Sequence, residues 1–382
     1  MDLSKMGAGV LNERWVKYLI KKTHIRNLDH RDKGIGGSAM DLHLTDQIWK
    51  MKKGSIKNSR RGVYFDTILN NIDYAERVSW DSTHQTILKK GNTYVVKIKE
   101  EFNFKGTEIH GKATTRSTIG RIDILTRLIA NCTPVYDTIE KNYEGSVYLE
   151  VTPLAFSVKI DIKTTLHQLR LFHGDPRLSL LTDKELHLYD YIVLEDEESK
   201  FSSRKDNIDS LDVTLKKTKI KMRKDEDEKE GVAFVSKSVD KDTLVVDLTD
   251  KSQNDYTLFW EIEPEEIIAT ESVKLIEKER FYILRSRQRL KLPPNLAVYI
   301  YAVVEKIGEW RTHYAGFVHP NFGTTQEHGT PVIFEVRGHN LDVVLRHGEV
   351  LAEMKFYRML HDSELKNGTY KDQELKLSKY FV

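Results

Sequence analysis

Two arginines, two hydroxyls and a glycine fall within six residues at 116–121, which read Arg116-Ser117-Thr118-Ile119-Gly120-Arg121. That combination suits an anionic ligand rich in oxygen. Arg presents a planar fork of donors that matches phosphate, and Ser and Thr add short donors beside it. Further along, Glu150 stands in the apolar run Val147-Tyr148-Leu149-Glu150-Val151. A carboxylate in a strand-like run is costly to bury unless it is paired or put to work. The local pattern leaves plainer roles open. Either arginine could serve an ordinary ion pair, Ser117 and Thr118 could form a turn, and Glu150 could face solvent from an edge strand.

The rest of the chain must position these groups. Its 382 residues imply two or more domains. A net charge of +2 argues against a dedicated binder of nucleic acid or of a membrane surface. No apolar run reaches bilayer length, and the N-terminus lacks the apolar core of a signal peptide. The single cysteine, Cys132, rules out an intrachain disulfide and fits a reducing compartment. A cytoplasmic location is therefore expected. One cysteine cannot supply the Cys-x-x-Cys pair of a zinc-dependent nucleobase deaminase. The 14 histidines show no paired metal-ligand spacing, so no metal site of protein side chains is expected.

Apolar residues at helical spacing predict one short amphipathic helix within 10–30. From Met40 onward the period is that of strands, as in 94–104, 146–160 and 165–172, separated by Gly, Asn, Asp and Pro. The expectation is a mainly β fold, a barrel or jelly roll. An internal repeat refines it. TYVVKIKEEF (93–102) resembles FYILRSRQRL (281–290) at an offset of 188, and IEKNYEG (139–145) resembles VHPNFG (318–323). YLEV (148–151) and TLHQLRLF (165–172) resemble FEV (334–336) and VLAEMKFY (350–357) at an offset of 185, which sets Glu150 on Glu335. The chain reads as a tandem duplication: 1–190 as the first copy, 191–270 as a charged linker or insertion, and 271–382 as a degenerate second copy with a C-terminal tail.

In the second copy Val304, Glu305 and Glu309 replace Arg116, Ser117 and Arg121. Acids in those places would repel a polyphosphate. The expectation is one site per chain, built on the first copy, with Glu335 structural and paired to Arg311 or Arg337. Residues 195–231 carry many charges of both signs and read as a solvated loop or extended hairpin. A basic run at 216–224 is cancelled by acids at 225–230, and it is assigned no function. Phe259 and Trp260 read as core. The tail, 369–382, is either frayed or a lid.

Arg116 to Arg121, then IEKNYEG, YLEV and LHQLRL, in this order, resemble the dCTP deaminases of the trimeric dUTPase-like superfamily. SAMDLHL (38–44), FYILRSRQRLKLPP (281–294), GEWRTHYAGFVHPNFG (308–323) and LKLSKYF (375–381) are similar to a double-length bacterial group of that family. The resemblance implies a tandem pair of dUTPase-like β domains and a zinc-independent deamination of dCTP to dUTP and ammonia. It implies Glu150 as general base, Ser117 holding water or the amino group, and Arg121 stabilising the polarised site. Arg116 and Thr118 would contact phosphates, Glu140 the sugar 3′-hydroxyl, and Tyr143 the sugar or base. Magnesium would enter with the triphosphate, and the assembly would be a homotrimer. The chain departs from the family pattern at Glu140-Lys141-Asn142, which stands for Asp-Pro-Gly, in the longer loop 131–137, and at Gln373-Glu374, which stands for Gln-Gly. The same groups could orient water against an α-phosphate, with Asp137 as base, giving a dUTP diphosphatase or a bifunctional enzyme. A non-catalytic nucleotide-binding regulator would use Arg116 and Thr118 alone. On sequence grounds, then, Glu150→Gln should abolish turnover while Glu335→Gln leaves it within a few-fold. Calorimetric titration with a dCTP analogue should saturate near one per chain.

Overall fold

The computed structural model describes residues 5–56, 64–189, 193–194, 209–222, 226–238, 244–250, 254–302, 310–312, 316–364 and 373–382. The expected helix spans Glu13–Lys21. Asn12 caps it, its Oδ1 accepting from the Trp15 backbone N–H at 3.3 Å, and Trp15, Val16 and Leu19 form the buried stripe. No described helix is long and apolar enough to cross a membrane.

Besides a three-stranded sheet of Val245–Asp247, Ser157–Asp161 and Gln85–Leu88, the first copy is built from two antiparallel sheets. One runs in the order Thr138–Ile139, Ile109–Thr115, His167–His173, Ala39–Leu42, Ile35–Gly36. The other runs Ile124–Ala130, Glu144–Pro153, Tyr94–Asn103, Leu44–Met51, Ala75–Arg77. Ala113, Leu169 and Leu171 from the first join Val96, Ile98, Leu128 and Leu149 from the second in one buried cluster. Alternation along each strand supplies that apolar layer.

The second copy repeats the arrangement around Phe281–Leu290, which pairs with Thr330–Gly338. Register carries the strongest sign of duplication. Glu150 lies opposite Val95 in the first copy, and Glu335 lies opposite Ile283 in the second. Val95 and Ile283 are related by the same offset of 188 that the sequence repeat shows. A one-residue slip would have turned one carboxylate to the other face.

The charged segment needs a correction. Residues 195–231 were expected to be solvated, yet Ser210–Thr214 is a largely buried strand paired with both Val350–Arg358 and Phe281–Leu290. Its sequence, Ser210-Leu211-Asp212-Val213-Thr214, has the pattern of the first-copy strand Ala39–Leu42, and each strand carries an inner Asp, Asp41 or Asp212. Thr218–Ile220 and Lys229–Gly231 form the expected hairpin. Ala233–Ser236 and Trp260–Glu263 extend the second-copy sheet. Phe259 and Trp260 are core, as expected.

Arg170 joins the copies. It lies on the first-copy strand His167–His173 and is fully buried. It donates to Ser38 O (3.3 Å) and Ser38 Oγ (2.8 Å), and across the boundary to Val298 O (2.8 Å) and Val318 O (3.1 Å). Its guanidinium lies 4.0 Å from the centroid of the Phe317 ring. Beside it, Val10, Phe172, Ala297, Tyr357 and Met359 form a small apolar cluster drawn from both copies. Asp123 of the first copy, fully buried, pairs with Arg337 of the second. Replacing Arg170 by Met keeps the bulk and strips the donors from three buried carbonyls. Each such loss costs about 1–3 kcal/mol. Arg170→Met should therefore lower unfolding stability by at least about 3 kcal/mol, read from the urea midpoint with intrinsic fluorescence.

Candidate active site

The arginine-rich stretch forms a short helical turn, Ser117–Gly120, closed on the Arg116 carbonyl by the Ile119 and Gly120 N–H groups at 2.8 and 2.9 Å. It follows the strand Ile109–Thr115 directly, so it sits at a sheet end. Arg116 is fixed by an ion pair with Asp41 Oδ2 at 2.9 Å and by donation to Thr165 Oγ1. Burial raises the Asp41 pKa, and Arg116 and His43 oppose that rise. Ser117 remains half-exposed at the first position of the turn, and Thr118 is buried.

Arg121 closes the cluster and is buried. It donates to the Lys376 carbonyl at 2.9 Å and to Gln373 Oε1 at 2.6 Å, so the C-terminal tail folds over it. Gln373 Nε2 donates in turn to Pro331 O at 3.1 Å, and Ser378 Oγ to Thr118 O at 2.7 Å. The tail ends in a packed anchor. Phe381 lies against Phe259 and Trp260, and the Val382 N–H donates to Asn254 O at 3.0 Å. The alternative of a frayed end is overturned for residues 373–382, which close over the cluster.

The carboxylate that meets this cluster comes from the other copy. Glu335, on Thr330–Gly338, packs against Gly120 so closely that a Cβ there would lie 2.5 Å from Glu335 Oε2. It is 7% exposed. Burial pushes its pKa up to about 8, with Arg121 lowering and Asp123 raising it. Here the expected partners of Glu335 change. Glu335 was expected to be a structural residue paired to Arg311 or Arg337. Arg337 instead pairs with Asp123, the cation acting on Glu335 is Arg121, and the Arg311 side chain lies outside the described residues.

Glu150, expected beside Ser117 and Arg121, sits in a different cluster. It accepts from Ser55 Oγ at 2.9 and 2.7 Å, and Ser55 Oγ lies 2.9 Å from the Tyr136 hydroxyl. Burial raises its pKa, opposed by Ser55, the Ile56 N–H and Arg127. Arg127, its cross-strand partner, pairs with Asp137 Oδ2 at 2.8 Å. His167 Nε2 lies 3.2 Å from Asp137 Oδ1.

The turn residues divide in the same way. Glu140 is exposed, and Tyr143 is buried with its hydroxyl donating to Ser146 O at 2.6 Å. The second-copy counterpart of Glu140 reaches the other copy: His319 Nδ1 lies 3.3 Å from Ser38 Oγ. Burial, then Arg170 and Arg116, lower the His319 pKa to about 3, so it is neutral. Sequence reasoning missed His319, although the repeat aligns it with Glu140. Val304, Glu305 and Glu309 lie outside the described residues. Among the described residues, no group of three His, Cys, Asp or Glu side chains is placed to hold a metal ion.

Two family models divide the chain. The 2′-deoxycytidine 5′-triphosphate deaminase N-terminal domain matches residues 7–175, and the C-terminal domain of the same family matches residues 194–381. The chain belongs to the dCTP deaminase family. It is also similar to the crystal structure of 2′-deoxycytidine 5′-triphosphate deaminase from Agrobacterium tumefaciens. The TM-score is 0.78 at 26% identity, over 94% of this chain and 99% of that one. No curated protein matches the chain.

For this dCTP deaminase family member the Gly120–Glu335 contact gives a direct test. Gly120→Ala should displace the carboxylate and lower turnover by about tenfold or more while the fold survives. The Glu335 pKa sets a pH signature. An acid whose folded pKa of about 8 exceeds its ordinary 4.5 holds its proton more tightly when folded, so stability falls as pH rises between those values. Activity that needs the ionised form should rise through the same upper value. Glu335→Gln should remove both slopes, measured by urea titration and by kcat/KM from pH 5 to 9.

Proposed function

We propose that this chain deaminates dCTP to dUTP and ammonia at a site shared between its two copies. The observation that carries this reading is the buried Glu335 against the Arg121 turn, under a closed tail. Hydrolytic deamination needs a base for the attacking water, an acid for the leaving amine and donors for the tetrahedral intermediate at C4. Glu335 takes the proton from water as it adds to C4 and returns it to the amino group as ammonia leaves. A pKa raised toward neutrality suits both directions of that shuttle. Arg121 holds the ionised carboxylate in place and offsets the charge that develops, a contribution on the order of 3 kcal/mol for a well-placed donor. The Ser117 hydroxyl positions the water or the amino group.

Arg116 and Thr118 receive the triphosphate. Substrate has to exchange with the Arg116–Asp41 pair, which keeps the guanidinium oriented before binding. Magnesium enters on the phosphate oxygens as part of the substrate. His319 stands where the second-copy turn faces this cluster, so we assign the sugar contact to it in place of Glu140. Tyr143 is a brace for its own turn. The chain assembles as a homotrimer in the cytoplasm, in keeping with a β fold whose sites lie between copies. Asp137 is a poor base for dUTP hydrolysis, because His167 and Arg127 hold its pKa down against burial. That favours deamination over the diphosphatase reading.

Incubation with dCTP and magnesium, with products separated by chromatography, tests the reaction. Ammonia and dUTP are expected; dUMP and pyrophosphate would transfer the assignment to a diphosphatase. Glu335→Gln should cost about 10²- to 10⁴-fold in turnover, whereas Glu150→Gln should retain activity within a few-fold. The opposite ranking in folded variants would return the base to Glu150.

A further inference from the structure

A cleft of about 450 Å³ opens on the second copy, lined by Lys217, Lys219, Glu230, Arg285, Arg289 and Glu374 among others. Four cations face two carboxylates there. Arg285 and Arg289 stand on the strand Phe281–Leu290 with side chains only 11% and 9% exposed. Two guanidiniums held together near a protein interior call for an anion. The tail provides it. Glu374 accepts from Arg289 through both of its oxygens, and from Arg285 Nη1 at 3.4 Å. Lys217 and Lys219 reach the cleft from the hairpin and are largely exposed. Their present partners are Glu230 at 2.8 Å and Glu228 at 3.1 Å. Such exposed pairs exchange readily.

The cleft is wired to the catalytic cluster through the tail. Glu374 follows Gln373, whose side chain binds Arg121 and the Pro331 carbonyl. Pro331 lies opposite Arg289 in the ladder, and Arg285 lies opposite Ile333, so both arginines share the sheet face that carries Glu335. An anion that takes Arg285 and Arg289 from Glu374 therefore loosens the residue next to the Arg121 contact.

We propose that this cleft is a second anion site. It takes a phosphate chain in place of the Glu374 carboxylate, and its occupancy releases the tail from Arg121. The fork of each arginine matches phosphate oxygens, and the two lysines add charge that a single carboxylate does not use. Glu374 is then a resident competitor, and the tail reports on phosphate-rich ligands as well as covering the site.

The test uses the full chain with Arg116→Ala as background, which weakens the phosphate seat of the catalytic site. Calorimetric titration with inorganic triphosphate should show about one equivalent bound per chain. Lys217→Gln combined with Lys219→Gln should weaken that binding about tenfold, and Glu374→Gln should tighten it several-fold. All three side chains are at the surface, and thermal melting checks that the variants fold. In the unmutated chain, triphosphate should speed tryptic cleavage after Lys376, and the lysine pair variant should lose that effect. ATP binding no tighter than triphosphate would identify the free phosphate chain as ligand, and tighter ATP binding a nucleotide; either supports the site. Affinity unmoved by both sets of substitutions, or weakened by Glu374→Gln, would overturn it, and unchanged cleavage would overturn the link to the tail. The titration does not depend on the deaminase reading, so its failure leaves that reading standing.

Discussion

A buried guanidinium has to find acceptors, and Arg170 finds them on both sides of the boundary between the copies. Two of its bonds go to Ser38 of the first copy and two to carbonyls of the second, Val298 and Val318. Burial lowers its pKa, yet it stays a cation at neutral pH and cannot leave these partners unpaired without a large cost. This fixes how the copies meet. Val318 is followed by His319, so the same contact delivers the second-copy turn to Ser38 and toward Arg116. The Asp123–Arg337 pair fixes the other side, two residues beyond Arg121 and two beyond Glu335. The proposed catalytic groups lie between two inter-copy anchors that are themselves buried.

Duplication gave the two copies different shares of the groups that the proposed site uses. The first copy retains the cations and hydroxyls at 116–121. The second has lost them but retains its strand carboxylate. A site assembled across the boundary needs one arginine-bearing turn and one carboxylate strand, one from each copy. Glu150 stands outside the proposed site. Its environment agrees, since Ser55 covers both oxygens.

Much of the fold was legible in the residues. The helix at Glu13–Lys21, the strand pattern and the repeat offset all follow from periodicity and spacing. The turn at 116–121 and the strand position of both glutamates were legible too. What periodicity cannot give is which copy's turn meets which copy's strand. That is decided by Arg170 and by Asp123 with Arg337, partners far apart in sequence with no pattern linking them. The strand Ser210–Thr214 was missed for another reason. Its alternation matches Ala39–Leu42, but lysines and acids on both sides gave the region the composition of a loop. Five residues of correct alternation outweigh a charged neighbourhood once both adjacent strands offer hydrogen bonds.

The tail shows how one short segment can serve stability and chemistry together. Its far end is core: Leu377, Tyr380 and Phe381 belong to the main apolar cluster, and Phe381 touches Trp260. Its near end is polar and meets two different arginine groups, Gln373 on Arg121 and Glu374 on Arg285 and Arg289. Apolar anchoring at one end leaves the other free to exchange partners without unfolding the domain, because the local cost of opening is set by a few polar contacts. A glycine after Gln373 would carry no charge into the cleft. The glutamate found there, where the chain departs from the family pattern, ties closure of the tail to the electrostatics of the cleft.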